Sequence, residues 1–185
     1  GCIVQLELLS TFSRNPNEAK TMKRVGIMII LIVSGWVITP YSNAQEFISV
    51  EGEVLKPLKL TVKNMDKYPS IELRTKDREG KEHVYKGTPL SVVLDSAGVT
   101  LGKNLRGEHL KKYVLVTAAD NYQVIYALPE IDPEFTSNII LLATRVDGAL
   151  LPKGEGPFRL VTSGDKKPTR WVREIQSIRV VLSKE

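Results

Sequence analysis

From residue 47 onward the chain is dominated by alternating apolar and polar positions. "FISVEGEV" (47–54) and "PLKLTV" (57–62) switch character at every step, as half-buried strands do. In "SIELRTKD" (70–77), Ile71, Leu73 and Thr75 face opposite to Glu72, Arg74 and Lys76. A turn at Arg78-Glu79-Gly80-Lys81 leads into "EHVYKG", the return arm of a predicted hairpin. Further strands are predicted at "YVLVTA" (113–118), "YQVIYAL" (122–128), "NIILLAT" (138–144), "GPFRLVT" (156–162) and "SIRVVL" (177–182).

Helical periodicity surfaces once with clear ends. Thr88 is the predicted cap and Pro89 suits a first helical position. Leu90, Val93, Leu94 and Ala97 form the apolar stripe, and Gly98 stops it. A second short helix is predicted within 63–68, closed by Pro69. No internal repeat, low-complexity tract or interdomain linker interrupts the pattern. The fold class predicted is α+β, a single mostly β, mixed domain with one or two short helices.

The first 44 of the 185 residues read differently. From Met22, Lys23 and Arg24 precede an apolar run, Val25 to Ile38, of roughly 14 residues, short of the ~20 that span a bilayer. Ser42-Asn43-Ala44 follows with small residues where a signal peptidase reads. Residues 22–44 are therefore expected to be a secretory signal peptide cleaved after Ala44, with an uncleaved anchor as the alternative. Residues 1–21 are set aside as an upstream extension, leaving 45–185 as the domain, exported to the periplasm and not inserted in the membrane once cleaved.

Charge and cysteine content narrow the chemistry. Residues 1–44 hold four of the 26 bases and two of the 21 acids, so 22 Lys and Arg face 19 Asp and Glu in 45–185. That mild excess argues against nucleic acid as a partner. The one cysteine, Cys2, lies outside the expected domain, which is thus left without a disulfide, a thiolate nucleophile or a cysteine metal ligand. His83 and His109 are far apart in sequence, read as surface residues, and no metal site is expected. No Ser-His-Asp arrangement stands out, and "KGEGP" (153–157) reads as a bend, not a phosphate loop.

The strongest local signal is "GDKKPTRWVREI" (164–175), which sets Lys166, Lys167, Arg170 and Arg173 around Trp171. A flat, anionic or carbonyl-rich ligand would use such a loop. A packing reading stands beside it: Trp171, Val172 and Ile175 form an apolar patch, Asp165 sits in turn-forming "SGDKKP", and the lysines suit a solvated loop. Arg159 alternates with Phe158 and Leu160, so it faces either a ligand or solvent. "AADNY" (118–122) offers Asp120 and Tyr122 as a second wall or simply as a tight turn.

Three segments together resemble the molybdopterin-binding domain of the sulfite oxidase family. "VYKGTPLSVVLDSAGV" (84–99) matches a Tyr-x-Gly-x-Pro-Leu…Leu-x-x-Ala-Gly pattern. "VTAADNYQVIYALPEI" (116–131) matches an aspartate and tyrosine at a strand turn. "VDGALLPKGEGPFRLVTSGDKKPTRWVREIQSIRVV" (146–181) matches an Asp-Gly turn, a Gly-Pro-x-Arg-Leu strand and a basic, Trp-containing loop. The resemblance implies a pterin or molybdopterin-like ligand. It also implies a molybdenum held by one protein cysteine, which residues 45–185 lack, so no molybdenum is expected.

Small size, the apparent signal and the missing cysteine make the chain similar to exported, metal-free pterin-binding proteins of this fold. Some of those are receptors beside membrane sensors that make or degrade cyclic di-GMP. The resemblance then assigns Asp165 as acceptor for pterin N–H groups, Arg170 and Arg173 as donors, and Trp171 as stacking platform. Lys166 and Lys167 would take a phosphate tail, Gly164 permits close backbone approach, and Asp120, Tyr122 and Arg159 border the pocket. The missing cysteine argues against an enzyme. Two alternatives stay open: a molybdopterin-dependent oxidoreductase or subunit with non-cysteine ligation, and an interaction module without a ligand.

Overall fold

A computed structural model describes residues 47–184. The chain divides into Gly1–Ser42 and Asn43–Glu185. The expected signal peptide and upstream extension lie outside the described residues. Among the described residues, ten strands build two sheets. The first sheet has the order β2-β1-β10-β5-β6, from β1 (Phe47–Gly52), β2 (Leu58–Thr61), β5 (Lys112–Ala118), β6 (Gln123–Ala127) and β10 (Ile175–Leu182). β1 and β10 run parallel; the other neighbours are antiparallel. Alternation in these strands does what the sequence suggests. Ile48 and Val50, Val114 and Val116, Val124 and Tyr126, and Ile178 and Val180 point into one core.

The second sheet is β3 (Ile71–Lys76), β4 (Glu82–Pro89), β7 (Ile140–Val146) and β8 (Ala149–Leu150), with β9 (Arg159–Thr162) also paired to β7. β7 shows why "NIILLAT" lacks alternation. Ile140 and Leu142 join the main core, while Leu141 and Ala143 join a smaller one with Tyr85, Val161 and Trp171. A strand covered on both faces is apolar at consecutive positions. The smaller core is the floor on which the candidate site rests.

The two α-helices among the described residues are short. α1 (Val62–Met65) starts one residue earlier than predicted and ends earlier, held by a reciprocal cap. The Asn64 N–H donates to Thr61 Oγ1 at 3.2 Å and the Thr61 N–H to Asn64 Oδ1 at 2.8 Å. α2 (Leu90–Ser96) buries Leu90, Val93 and Leu94 as its stripe predicts, and Ala97 is buried just beyond it. Its cap is corrected: Pro89, not Thr88, is the N-cap residue. Thr88 lies in β4 opposite Leu142 and is 1% exposed, inside the strand and not at the helix start. Gly98, at φ +75°, ends the helix in the left-handed conformation expected of it.

β4 carries the other glycine that matters. Between Lys86 and Gly87 its register against β7 slips, leaving Thr144 as the extra residue. A Cβ on Gly87 would come within 2.1 Å of the Leu142 carbonyl oxygen. Only glycine lets the strands approach so closely there, which accounts for the Gly of the Tyr-x-Gly motif. Among the described residues no helix is long and apolar enough to cross a membrane.

Candidate functional site

A cleft of about 890 Å³ opens over the smaller core. The β3–β4 hairpin tip supplies Asp77 to Glu79, and β4 supplies His83 and Tyr85. Asp147 comes from the β7–β8 turn and Glu155 from the segment before β9. The β5–β6 turn brings Asp120 and Tyr122, and the approach to β10 brings Trp171, Arg173 and Glu174.

Arg159 forms the floor. All four residues of β9 are buried, so the alternation that turned Arg159 away from Phe158 does not turn it toward solvent; it is 6% exposed. Its Nη1 pairs with Glu155 Oε2 at 2.5 Å. The guanidinium lies 5.3 Å from the Tyr85 ring centroid and 5.5 Å from that of Trp171. Those two rings meet edge to face at 5.8 Å, and Trp171 Nε1 donates to Thr162 Oγ1 at 3.2 Å. The Nε of Arg159 is buried with no hydrogen-bond partner. A buried donor without an acceptor costs stability and asks for an explanation. Burial raises the Tyr85 phenol above its ordinary pKa against the opposing pull of Arg159.

His83 corrects the surface reading. Its side chain is 16% exposed and faces two carboxylates, Nδ1 to Asp147 Oδ2 at 2.7 Å and Nε2 to Asp77 Oδ2 at 3.3 Å. Asp147 Oδ1 accepts the Val84 N–H, and that bond, with the His83 contact, holds its carboxyl below the usual range. Asp77 is pushed up by desolvation. The N–H groups of Lys81 and Glu79 and the His83 ring outweigh that push, and its carboxyl is lowered.

Backbone conformation singles out the same place. Among the described residues, the non-glycine positions with left-handed φ are Asn121 (66°), Asp147 (49°) and Glu174 (44°). Asp147 and Glu174 line the cleft, and Asn121 sits between Asp120 and Tyr122, which also line it. Asn and Asp tolerate this region; Glu does so at a cost. The Glu174 backbone is held by its N–H to the Glu155 carbonyl and its carbonyl to the Ala119 N–H. Strain maintained by surrounding structure is characteristic of binding sites.

The residues singled out in the sequence divide into three groups. Trp171, Arg159, Arg173, Asp120 and Tyr122 all line the cleft. Asp120 is also a turn former, its Oδ1 accepting the Tyr122 N–H, so both readings of it hold. Gly164, Asp165 and Arg170 line a separate hollow of about 270 Å³ instead. There Nε and Nη2, one edge of the Arg170 guanidinium, donate to Asp165 Oδ2 and Oδ1 at 3.0 and 2.6 Å and lower its carboxyl, while Nη1 also reaches Glu130 at 3.2 Å. The carboxylate assigned to accept from a ligand is thus already engaged. Lys166 and Lys167 are exposed and line neither hollow.

The loop itself is pinned from β6 and the turn that precedes it. Tyr122 Oη donates to the Thr169 carbonyl at 2.8 Å and Tyr126 Oη to the Arg170 carbonyl at 2.5 Å, with the Arg170 guanidinium 4.7 Å above the Tyr126 ring. Sequence reasoning missed Tyr85, His83, Asp77 and Glu155. The available signal was the spacing of His83 and Tyr85, two apart on one strand and hence on one face.

The lining fits a pterin ring: aromatic walls, a guanidinium and several carboxylate acceptors. It does not fit a thiolate-held molybdenum, since its donors are oxygens, guanidinium and imidazole, and both His83 nitrogens already face carboxylates. Those contacts point outward from the ring, so the three side chains do not converge; among the described residues no cluster suits a metal ion.

Comparison with known proteins gives a match to the family described as oxidoreductase molybdopterin binding domain over residues 37–185. Among solved structures, the sulfane dehydrogenase SoxCD from Paracoccus pantotrophus is similar in fold, with a TM-score of 0.58 at 19% identity. The alignment covers 74% of this chain and 38% of that one, so the chain spans well under half of that protein. No curated protein matches.

Proposed function

Because the chain belongs to the oxidoreductase molybdopterin-binding domain family, we propose that its cleft holds a pterin and that it acts as a receptor, not as a redox enzyme. The observation that carries this reading is Arg159, buried beside Tyr85 and Trp171 with its Nε unpartnered, in a cleft whose lining includes six carboxylates. Asp120 and Glu174 at the rim are acceptors for ring and amino N–H groups, Arg173 is a donor for the ring carbonyl, and Tyr122, 47% exposed, is a face for stacking. In this reading the protein works in the periplasm and reports occupancy to a membrane partner, a cyclic di-GMP-metabolising sensor being the class proposed.

A second reading, a molybdopterin oxidoreductase or a subunit of one, draws on the family itself. Mass spectrometry of small molecules released from the purified full chain, with elemental analysis of the same sample, separates the two. A metal-free pterin near one equivalent supports the receptor. Stoichiometric molybdenum supports the enzyme, and no pterin at all, even after incubation with one, refutes both.

A further inference from the structure

Resting on the pterin reading, we infer that the cleft takes the uncharged, N–H-rich ring system and discriminates against the same ring carrying a phosphate. The cleft is lined by six carboxylates and three arginines. Asp77 and Asp147 are ordinary carboxylates in being ionised at neutral pH, and both accept backbone N–H groups and face the His83 ring. Of the arginines, Arg159 is answered by Glu155 at 2.5 Å. Arg78 and Arg173 are exposed and line the cleft together with Glu79, Asp120 and Glu174, so the lining keeps six carboxylates to three arginines.

The other cations of the basic loop lie elsewhere. Arg170 is committed to Asp165 and Glu130, and Lys166 and Lys167 sit outside the cleft. A phosphate dianion needs unneutralised, convergent donors. Here it would enter a wall of like charge, whereas amide and amino N–H groups find acceptors in abundance. Of the four cations of the basic loop that announces an anion in the sequence, Arg173 alone therefore lines the site.

Isothermal titration of the full chain with neopterin and with neopterin monophosphate tests this. Neopterin is expected to bind at least tenfold more tightly at low salt, and the gap is expected to shrink at high ionic strength, where exposed charges are screened. Replacing Asp120→Asn and Glu174→Gln together should narrow it to within about threefold, since each removes a negative charge from the rim. Equal or tighter binding of the phosphate ester overturns the inference while leaving the pterin reading intact. A gap indifferent to both salt and the double variant overturns it too, assigning the discrimination to shape. Failure of both compounds to bind overturns the inference together with the reading it rests on.

Discussion

Trp171 belongs to two things at once. It is 6% exposed and packs in the smaller core, yet one edge forms the cleft wall. Truncation therefore cannot be silent toward folding: Trp171→Ala should lose about 3–5 kcal/mol, the scale of a core aromatic, measured by denaturant unfolding. With Trp36 replaced by Phe, Trp171 is the one tryptophan left in the chain, and pterin addition should quench its emission. An unchanged spectrum would count against stacking or contact at this wall. Arg159 makes the complementary case. Arg159→Met should cost about 3 kcal/mol, because it strands the Glu155 carboxylate beside the core. Adding Glu155→Gln should recover part of that loss, a coupling read from the double-mutant cycle.

At the scale of elements, β4 concentrates the constraints. Gly87→Ala drives a methyl group into the β7 backbone and should destabilise the domain by about 3 kcal/mol, the upper end of overpacking. The strand was legible because His83, Val84 and Tyr85 lead into a motif with a required glycine. The register slip beside it was not, since Thr144 looks like any other strand residue until its partner is known.

Helix α2 was legible from its stripe and its terminal glycine. Its start was misplaced because Thr88 has capping chemistry but a strand's hydrogen bonds. Of the candidate site residues, Trp171, Arg159 and Tyr122 fall on the cleft, while Asp165 falls in the separate hollow, held by Arg170 five residues away on the same loop. Local charge in a sequence does not reveal which charges neutralise each other.

The β3–β4 tip also carries a pH dependence. Asp77 and Asp147 have folded pKa values below their unfolded ones. Their contribution is present above the ordinary carboxylate pKa of about 3.9 and is lost as pH falls through the lowered values. The tip should loosen in acid before the sheets do, seen as faster amide exchange at Glu79, Lys81 and Val84. In Asp147→Asn the exchange at Val84 should lose its acid dependence.

For the whole molecule, the expected export gives a direct check: N-terminal sequencing of the native protein should begin near Gln45. The strand order bears on how such a chain is made. β10, last of the ten strands in sequence, occupies the centre of its sheet, with the β1–β2 hairpin on one side and the β5–β6 hairpin on the other. A ribosome delivers the two flanking hairpins long before the strand that joins them. Until residues 175–182 emerge, each half shows an unpaired edge and half a core. The segment carrying Trp171 arrives immediately ahead of β10, so the closing of the sheet and the completion of the cleft wall fall in one step. Until then the first sheet stays open at its middle, although the second has all of its strands once Thr162 is made; under the proposed export, a domain left unfinished in this way is easier to thread through a translocon.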